Sequence, residues 1–163
     1  MINEVKVRVG NPNDFRQVMD LIMKCMDENA LLNPDMHKVM TEVWGSLHQD
    51  YGVIGVIEGA GALDAAIILR VDTTAYSSEP VLVERMVYVD PAFRSIPGGR
   101  AGRLVEFAKS VSRALGLPLL IGILSSERAT AKVKLYERHF GRPDGAWWLY
   151  GTATGAKRKI AAE

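Results

Sequence analysis

The sequence contains a single cysteine, Cys25, and therefore forms no internal disulfide. Its neighbours Leu21, Ile22 and Met26 are apolar and follow helical spacing. This setting favours a small core residue over a catalytic thiol. A chain without disulfides is typical of the reducing cytoplasm, which is the location we expect.

Long hydrophobic runs are also missing. The longest apolar stretch, residues 117–124, is far too short to cross a bilayer. The first residues show no basic start followed by an apolar run, so we expect no signal peptide. Both observations predict a protein that does not have a membrane as its partner.

An excess of one charge and a set of metal ligands are missing as well. The formal net charge is +1, which provides no strong attraction for a nucleic acid or a membrane surface. The three histidines, His37, His48 and His139, lack the spacing of metal ligands. We therefore expect neither a nucleic-acid partner nor a metal cofactor.

The composition that remains is that of an ordinary globular domain. The 163 residues, 48% of them apolar and 24% charged, are enough to bury one core. We expect one domain over residues 1–155 and a basic, flexible tail over residues 156–163.

The hydrophobic periodicity predicts one mixed α/β domain of order β-α-α-β-β-β-α-β-α-β. Strands are predicted at residues 5–9, 53–58, 63–71, 81–90, 119–124 and 146–150. Two helices are predicted between the first two strands, one directly after the glycines near residue 99, and one over residues 129–140.

The segment between residues 84 and 104 is the most informative part of the chain. A β-branched strand stops at Asp90-Pro91, a loop with Gly98 and Gly99 follows, and a helix begins directly behind it. Glycines let the backbone approach a ligand closely, and the N–H groups of a helix N-terminus favour negative charge. Three arginines suited to phosphate oxygens stand in the same segment: Arg94, Arg100 and Arg103. The sequence therefore predicts a phosphate-binding loop.

Two motifs carry a resemblance to a known family. Residues 87–94, Val-Tyr-Val-Asp-Pro-Ala-Phe-Arg, are similar to a hydrophobic-Val-x-Pro-x-aromatic-Arg run, and residues 135–140, Leu-Tyr-Glu-Arg-His-Phe, are similar to Leu-Tyr-Glu-Lys-x-Gly-Phe. With the element order, they resemble the GCN5-related N-acetyltransferase (GNAT) superfamily. The chain departs from the family pattern at Pro97, where a glycine is usual, and at Ala129, where asparagine is frequent. The Pro-Gly-Gly-Arg-Ala-Gly loop resembles that of GNAT proteins carried by phages and prophages.

The resemblance implies a GNAT-like α+β fold, with a mixed sheet of about six to seven strands and about four helices. It also implies acetyl-CoA as the acyl donor, no metal, and direct acetyl transfer to an amine without an acyl-enzyme. The residues that it assigns to the donor are the loop residues Arg94, Gly98, Gly99, Arg100, Ala101, Gly102 and Arg103, the backbone of Val87, Tyr88 and Val89, and the nearby polar candidates Ser126 and Thr130.

The same resemblance assigns two residues to proton transfer. Tyr136 would protonate the departing CoA thiolate, although its helical spacing also fits an ordinary core aromatic. Glu84 would accept the proton of the amine, although it could equally form an ion pair or leave this task to water.

The sequence is compatible with more than one kind of acceptor and with more than one oligomeric state. A small-molecule amine and a protein amine are both compatible with the sequence, and many relatives form homodimers. Trp147 and Trp148 could line an acceptor pocket or simply alternate along a strand. The alternative function is a GNAT-fold protein that binds acyl-CoA, or a partner, with little or no turnover.

Overall fold

The computed structural model describes residues 5–95, 99–125 and 127–151. Five strands and four α-helices follow one another along the chain: β1 (Val7–Val9), α1 (Phe15–Asn29), α2 (Met36–Leu47), β2 (Gly52–Glu58), β3 (Leu63–Thr74), β4 (Ser77–Val89), α3 (Arg100–Leu115), β5 (Leu119–Leu120) and α4 (Ala129–Phe140). Short 3₁₀ turns precede α1 and follow β4, at Pro12–Asp14 and Pro91–Phe93.

Side-chain caps determine where the first two helices begin. Asn11 accepts a hydrogen bond from the Asn13 amide, while Asp14 accepts one from the Asn11 amide, so both residues satisfy N–H groups at the start of the helical segment. Asp35 caps α2 by accepting a hydrogen bond from the Lys38 amide. These are the start signals that the sequence contained.

The sheet has the strand order β1-β2-β3-β4-β5. The first three pairs are antiparallel, and the last pair, β4 with β5, is parallel and consists of Leu82 opposite Leu119 and Val83 opposite Leu120. Beyond Val83, the rest of β4 pairs only with β3 in the described part of the chain. The two neighbouring segments therefore part and leave a gap.

A bulge lies on β4 at the mouth of this gap. Ile68 of β3 is opposite Met86, whereas the next residue, Leu69, is opposite Glu84, so Arg85 is an extra residue in the register. A bulge changes the direction in which the following side chains and backbone groups point.

The core has two halves, one on each face of the sheet. Alternate residues of the central strands point to opposite faces, so Ile68 packs towards α1 and α2 while Ile67 packs towards α3. On the first side, Val18 of α1 is fully buried; on the second, Leu104 of α3 is. The β-sheet thus lies between helices and holds the gap at its edge.

The structure corrects three details of the sequence-based prediction. The sheet has five strands in the described residues, fewer than the six to seven expected. The strand predicted over residues 119–124 ends at Leu120, because residues 121–125 have parted from β4. Residues 146–150 form no strand, and Trp148, which has no strand to pair with there, is 86% exposed. The predicted basic tail lies outside the described residues.

Candidate functional site

Two neighbouring cavities occupy the gap between β4 and the chain that follows β5. The first has a volume of about 480 Å³ and the second about 510 Å³. Asn29 at the end of α1, Val87 of β4 and Lys132 of α4 line both. A ligand that fills the gap could therefore reach from one cavity into the other.

The N-terminus of α3 forms one wall of the first cavity. Gly99 precedes the helix in the left-handed region, with φ of 54°, and a Cβ there would meet nothing within 4 Å. Glycine is therefore favoured by the backbone conformation and not by lack of space. Ala101 and Gly102 of the first helical turn line the cavity, and amides of a first turn have no acceptor within their own helix. This wall suits an anion.

Gly102 also allows α4 to approach α3. A Cβ on Gly102 would stand 3.4 Å from Nε2 of His139, at the short end of van der Waals contact. His139 lines the first cavity, and its Nδ1 lies 3.0 Å from Glu106 Oε1 of α3. The glycine-bearing turn therefore helps to set the distance between the two helices.

Arg94 lines the first cavity but is also held by protein groups. Its Nη2 lies 2.6 Å from Glu28 Oε2, and its Nε donates to the Val89 carbonyl at 2.9 Å. The guanidinium also lies over the Tyr88 ring, 5.2 Å from the centroid. Burial raises the pKa of Tyr88 to about 12, so its hydroxyl is neutral and donates to Glu28 Oε2.

Arg100 is turned towards the sheet. Its Nη2 lies 2.7 Å from Asp64 Oδ2, and the Asp64 side chain is 2% exposed. Its guanidinium also lies over the Phe93 ring at 4.9 Å. The remaining nitrogen, Nη1, is buried without a hydrogen-bond partner among the described residues. The side chain thus ties α3 to β3.

Glu84 and Tyr136 meet in the second cavity. The Tyr136 hydroxyl lies 3.5 Å from Glu84 Oε2, a long hydrogen bond between α4 and β4. Burial raises the pKa of Glu84 to about 7, although the Gly122 amide donates to the carboxylate and acts in the opposite direction. Burial, followed by the charge of Glu84, raises the pKa of the Tyr136 phenol, which is therefore protonated at neutral pH.

Lys132 stands where the two cavities join. Its Nζ donates to Asn29 Oδ1 and to Ser125 Oγ, both at 3.0 Å, and burial lowers its pKa. It forms no ion pair with a carboxylate of the described residues. Because Lys132 is four residues before Tyr136, both side chains share one face of α4.

The described residues contain no group of three or more histidine, cysteine, aspartate or glutamate side chains that could hold a metal ion. Within the same residues, none of the helices has the length and apolar character needed to cross a membrane.

Comparison with known proteins identifies the fold. No family model and no curated protein matches the sequence. Among solved structures, the chain is similar to a possible acetyltransferase from Clostridium difficile 630, with a TM-score of 0.68, 16% identity, and coverage of 92% of this chain and 99% of that chain. It is also similar to AAC(6')-Iy in complex with the bisubstrate analogue CoA-S-monomethyl-acetylneamine, with a TM-score of 0.70, 16% identity, and coverage of 91% and 97%.

A third similar structure is the ribosomal-protein-alanine N-acetyltransferase from Brucella melitensis biovar Abortus 2308, with a TM-score of 0.64, 14% identity, and coverage of 90% of this chain and 98% of that chain. The chain has the fold of these acetyltransferases. The predicted GNAT-like fold is therefore confirmed, with fewer strands than expected.

In this GNAT-like fold, most of the sequence-predicted site residues lie around one gap. Those that line the two cavities are Glu84, Val87, Tyr88, Val89, Arg94, Gly99, Arg100, Ala101, Gly102 and Tyr136. Arg103 and Thr130 line neither cavity, and Gly98 and Ser126 lie outside the described residues. Trp147 lines the second cavity, whereas Trp148 does not.

Sequence reasoning missed Lys132 and Asn29. Helical spacing from Tyr136 could have placed Lys132 on the same face, but nothing in the sequence links either residue to Asn29, which lies at the end of a distant helix.

Proposed function

We propose that this protein is an N-acetyltransferase that moves an acetyl group from acetyl-CoA directly to a primary amine. The observation that carries the proposal is the gap between β4 and residues 121–125, which has an anion-suited helix N-terminus at one end and a partly buried carboxyl–phenol pair at the other. The acetyltransferase fold supports it, as do similar structures whose names include CoA or a CoA-containing bisubstrate analogue.

The pyrophosphate of the donor binds at the N-terminus of α3. The first-turn amides of Arg100, Ala101 and Gly102 are suited to phosphate oxygens, and Arg94 adds positive charge beside them. The pantetheine arm then lies along the unpaired edge of β4, where backbone groups of Val87, Tyr88 and Val89 are its hydrogen-bond partners. In this position the thioester reaches the second cavity.

Transfer takes place where the two cavities join. The amine nitrogen attacks the thioester carbon, a backbone N–H of β4 stabilises the oxyanion, and the carbon–sulfur bond breaks. Glu84 takes the surplus proton of the amine, and its pKa, raised to about 7, suits a base that works near neutral pH. Tyr136 gives its proton to the sulfur and regains one from Glu84, 3.5 Å away.

Two measurements test the proposal. Calorimetric titration with CoA and acetyl-CoA should show binding to the purified protein, and a thiol-specific reagent should show CoA release when acetyl-CoA is incubated with a panel of primary amines. If neither ligand binds, the proposal is wrong. Binding without amine-dependent release across the panel would mean that the protein binds acyl-CoA without transferring the acyl group.

A further inference from the structure

The charged groups of the second cavity limit the number of positive charges that an acceptor can bring. Within the described residues, Glu84 is the single carboxylate in the lining, and it shares the cavity with the cations Arg85 and Lys132. Lys132 donates hydrogen bonds to the neutral oxygens of Asn29 and Ser125. Among the described residues, no carboxylate forms an ion pair with it. One ammonium can pair with Glu84, and a second would find no other carboxylate in the described lining and would face the like charge of Lys132.

In the described residues, the surface next to this cavity has no excess of acidic side chains that could attract a second ammonium group. A third cavity of about 440 Å³ lies on the other side of Arg85 and contains the carboxylates Glu42 and Asp72. Glu42 Oε1 is already 2.7 Å from Nε of Arg85. The same cavity is also lined by Lys38 and Arg70, so that with Arg85 three cations stand beside the two acids.

The remaining walls of the second cavity are largely apolar. They come from α1, from the bulged part of β4 and from the segment after β5, and include Met26, Met86, Ile121, Ile123, Leu124 and Trp147. Such walls stabilise an apolar body by removing its surface from water, and these side chains offer no hydrogen-bond partners to a molecule rich in hydroxyl and ammonium groups.

From this arrangement we infer that the acceptor is a primary monoamine with an apolar body, and that acceptors with a second ammonium group are rejected. The inference rests on the proposed function and names its substrate class. The amine enters the second cavity as an ammonium ion beside Glu84 and loses one proton to that carboxylate, which releases it to water. The neutral amine then attacks the thioester with its apolar part against the methionine and leucine walls, and the second proton goes to Glu84 as the carbon–nitrogen bond forms. A polycationic acceptor, such as the aminoglycosides after which one similar structure is named, does not fit these charges.

A pair of matched amines tests this inference. Hexylamine and hexamethylenediamine have the same six-carbon body and differ in a second ammonium at the far end. Calorimetry should show that hexylamine binds at least about ten-fold more tightly than the diamine, and kcat/KM for thiol release should favour it by a similar factor. Equal or tighter binding of the diamine would overturn the inference, and so would a failure of both amines to bind.

A substitution in the cavity wall provides a second test. Leu124 lines the second cavity and is 56% exposed, while Leu115, at the end of α3, is 52% exposed and lines none of the three cavities. Leu124→Glu should shift the ratio of the two affinities about ten-fold towards the diamine, because it adds a partner for the second ammonium. Leu115→Glu should leave the ratio unchanged. An unchanged ratio in Leu124→Glu would contradict the inference.

Titrations of the amines with and without CoA separate this inference from the proposed function. If hexylamine is preferred but CoA is neither bound nor released, the transferase proposal is wrong and the monoamine site remains. If CoA is released with the diamine at a kcat/KM equal to or above that with hexylamine, the transferase proposal is supported and the monoamine inference is wrong.

Discussion

At the scale of single residues, the pairing of Glu84 with Tyr136 is the feature that depends most on its surroundings. Neither residue is unusual in the sequence. Their burial excludes water from the carboxyl and from the phenol and thereby raises the pKa of both groups. Titratable groups whose pKa values are shifted, and which meet in a cavity, are typical of sites that transfer protons. We therefore expect substitutions of Tyr136 to change activity and substitutions of Glu84 to change how stability varies with pH.

Replacing Tyr136 with phenylalanine removes the proposed proton donor and keeps the ring in the core. We expect kcat to fall about 100-fold, since general acid catalysis typically contributes at least that much, while CoA affinity stays close to that of the wild type. Tyr76→Phe is the matched control, because Tyr76 is 91% exposed on the β3–β4 turn. Full turnover in Tyr136→Phe would leave the residue as a core aromatic.

The pKa of Glu84 also predicts how stability varies with pH. It is raised from 4.5 to about 7 in the folded protein, so folding retains a proton that the unfolded chain has lost. The free energy of unfolding of the wild type should therefore decrease relative to Glu84→Gln as pH rises from 4.5 to 7, and the difference should then stay constant.

Denaturant unfolding of both proteins at several pH values measures this difference. Asp14→Asn is a control of opposite sign, because hydrogen bonding to Arg8 lowers the pKa of Asp14 below 3.8. The wild type should therefore gain stability relative to this variant as pH rises towards 3.8. A pH-independent difference for Glu84→Gln would mean that its carboxyl group is not buried as the structure describes.

At the scale of elements, the N-terminus of α3 is held in place by the backbone conformation of Gly99. Gly99→Ala should reduce the free energy of unfolding by about 1 kcal/mol, since a left-handed φ strains any residue with a Cβ, and it should weaken CoA binding because the first-turn amides shift. Gly61→Ala, at φ of 95° in the β2–β3 turn, should cause a similar loss of stability with unchanged CoA affinity. If both variants bind CoA with equal affinity, the N-terminus of α3 does not bind the donor.

At the scale of the whole molecule, the sequence predicts local features well and long-range ones poorly. The caps at Asn11 and Asp35 act within three residues, and each lies directly before a helical segment, the 3₁₀ turn that leads into α1 and the first turn of α2. The ion pair of Arg94 with Glu28 joins α1 to the end of β4 across 66 residues, and no local pattern contains it. The strand expected over residues 119–124 has the composition of a buried strand, but its length depends on whether β4 stays alongside it.

The motif that predicted the loop after β4 had the same limit. It located the N-terminus of α3 correctly, because a glycine followed by a helix is a local signal. It could not indicate that Arg100 points to Asp64 or that Lys132 stands between the cavities, since both depend on how distant elements pack together.

The two-residue pairing of β4 with β5 has a consequence for the motion of the chain. Residues 121–125, which follow Leu120, have no ladder to the sheet, so their amide hydrogens should exchange with deuterium faster than those of β2 and β3. An extended ligand that hydrogen-bonds along the free edge of β4 would replace the backbone hydrogen bonds that a neighbouring strand would otherwise make. Exchange at the free edge of β4, in residues 87–89, should then slow down when CoA is added, and mass spectrometry would detect the protection even before an acceptor is known.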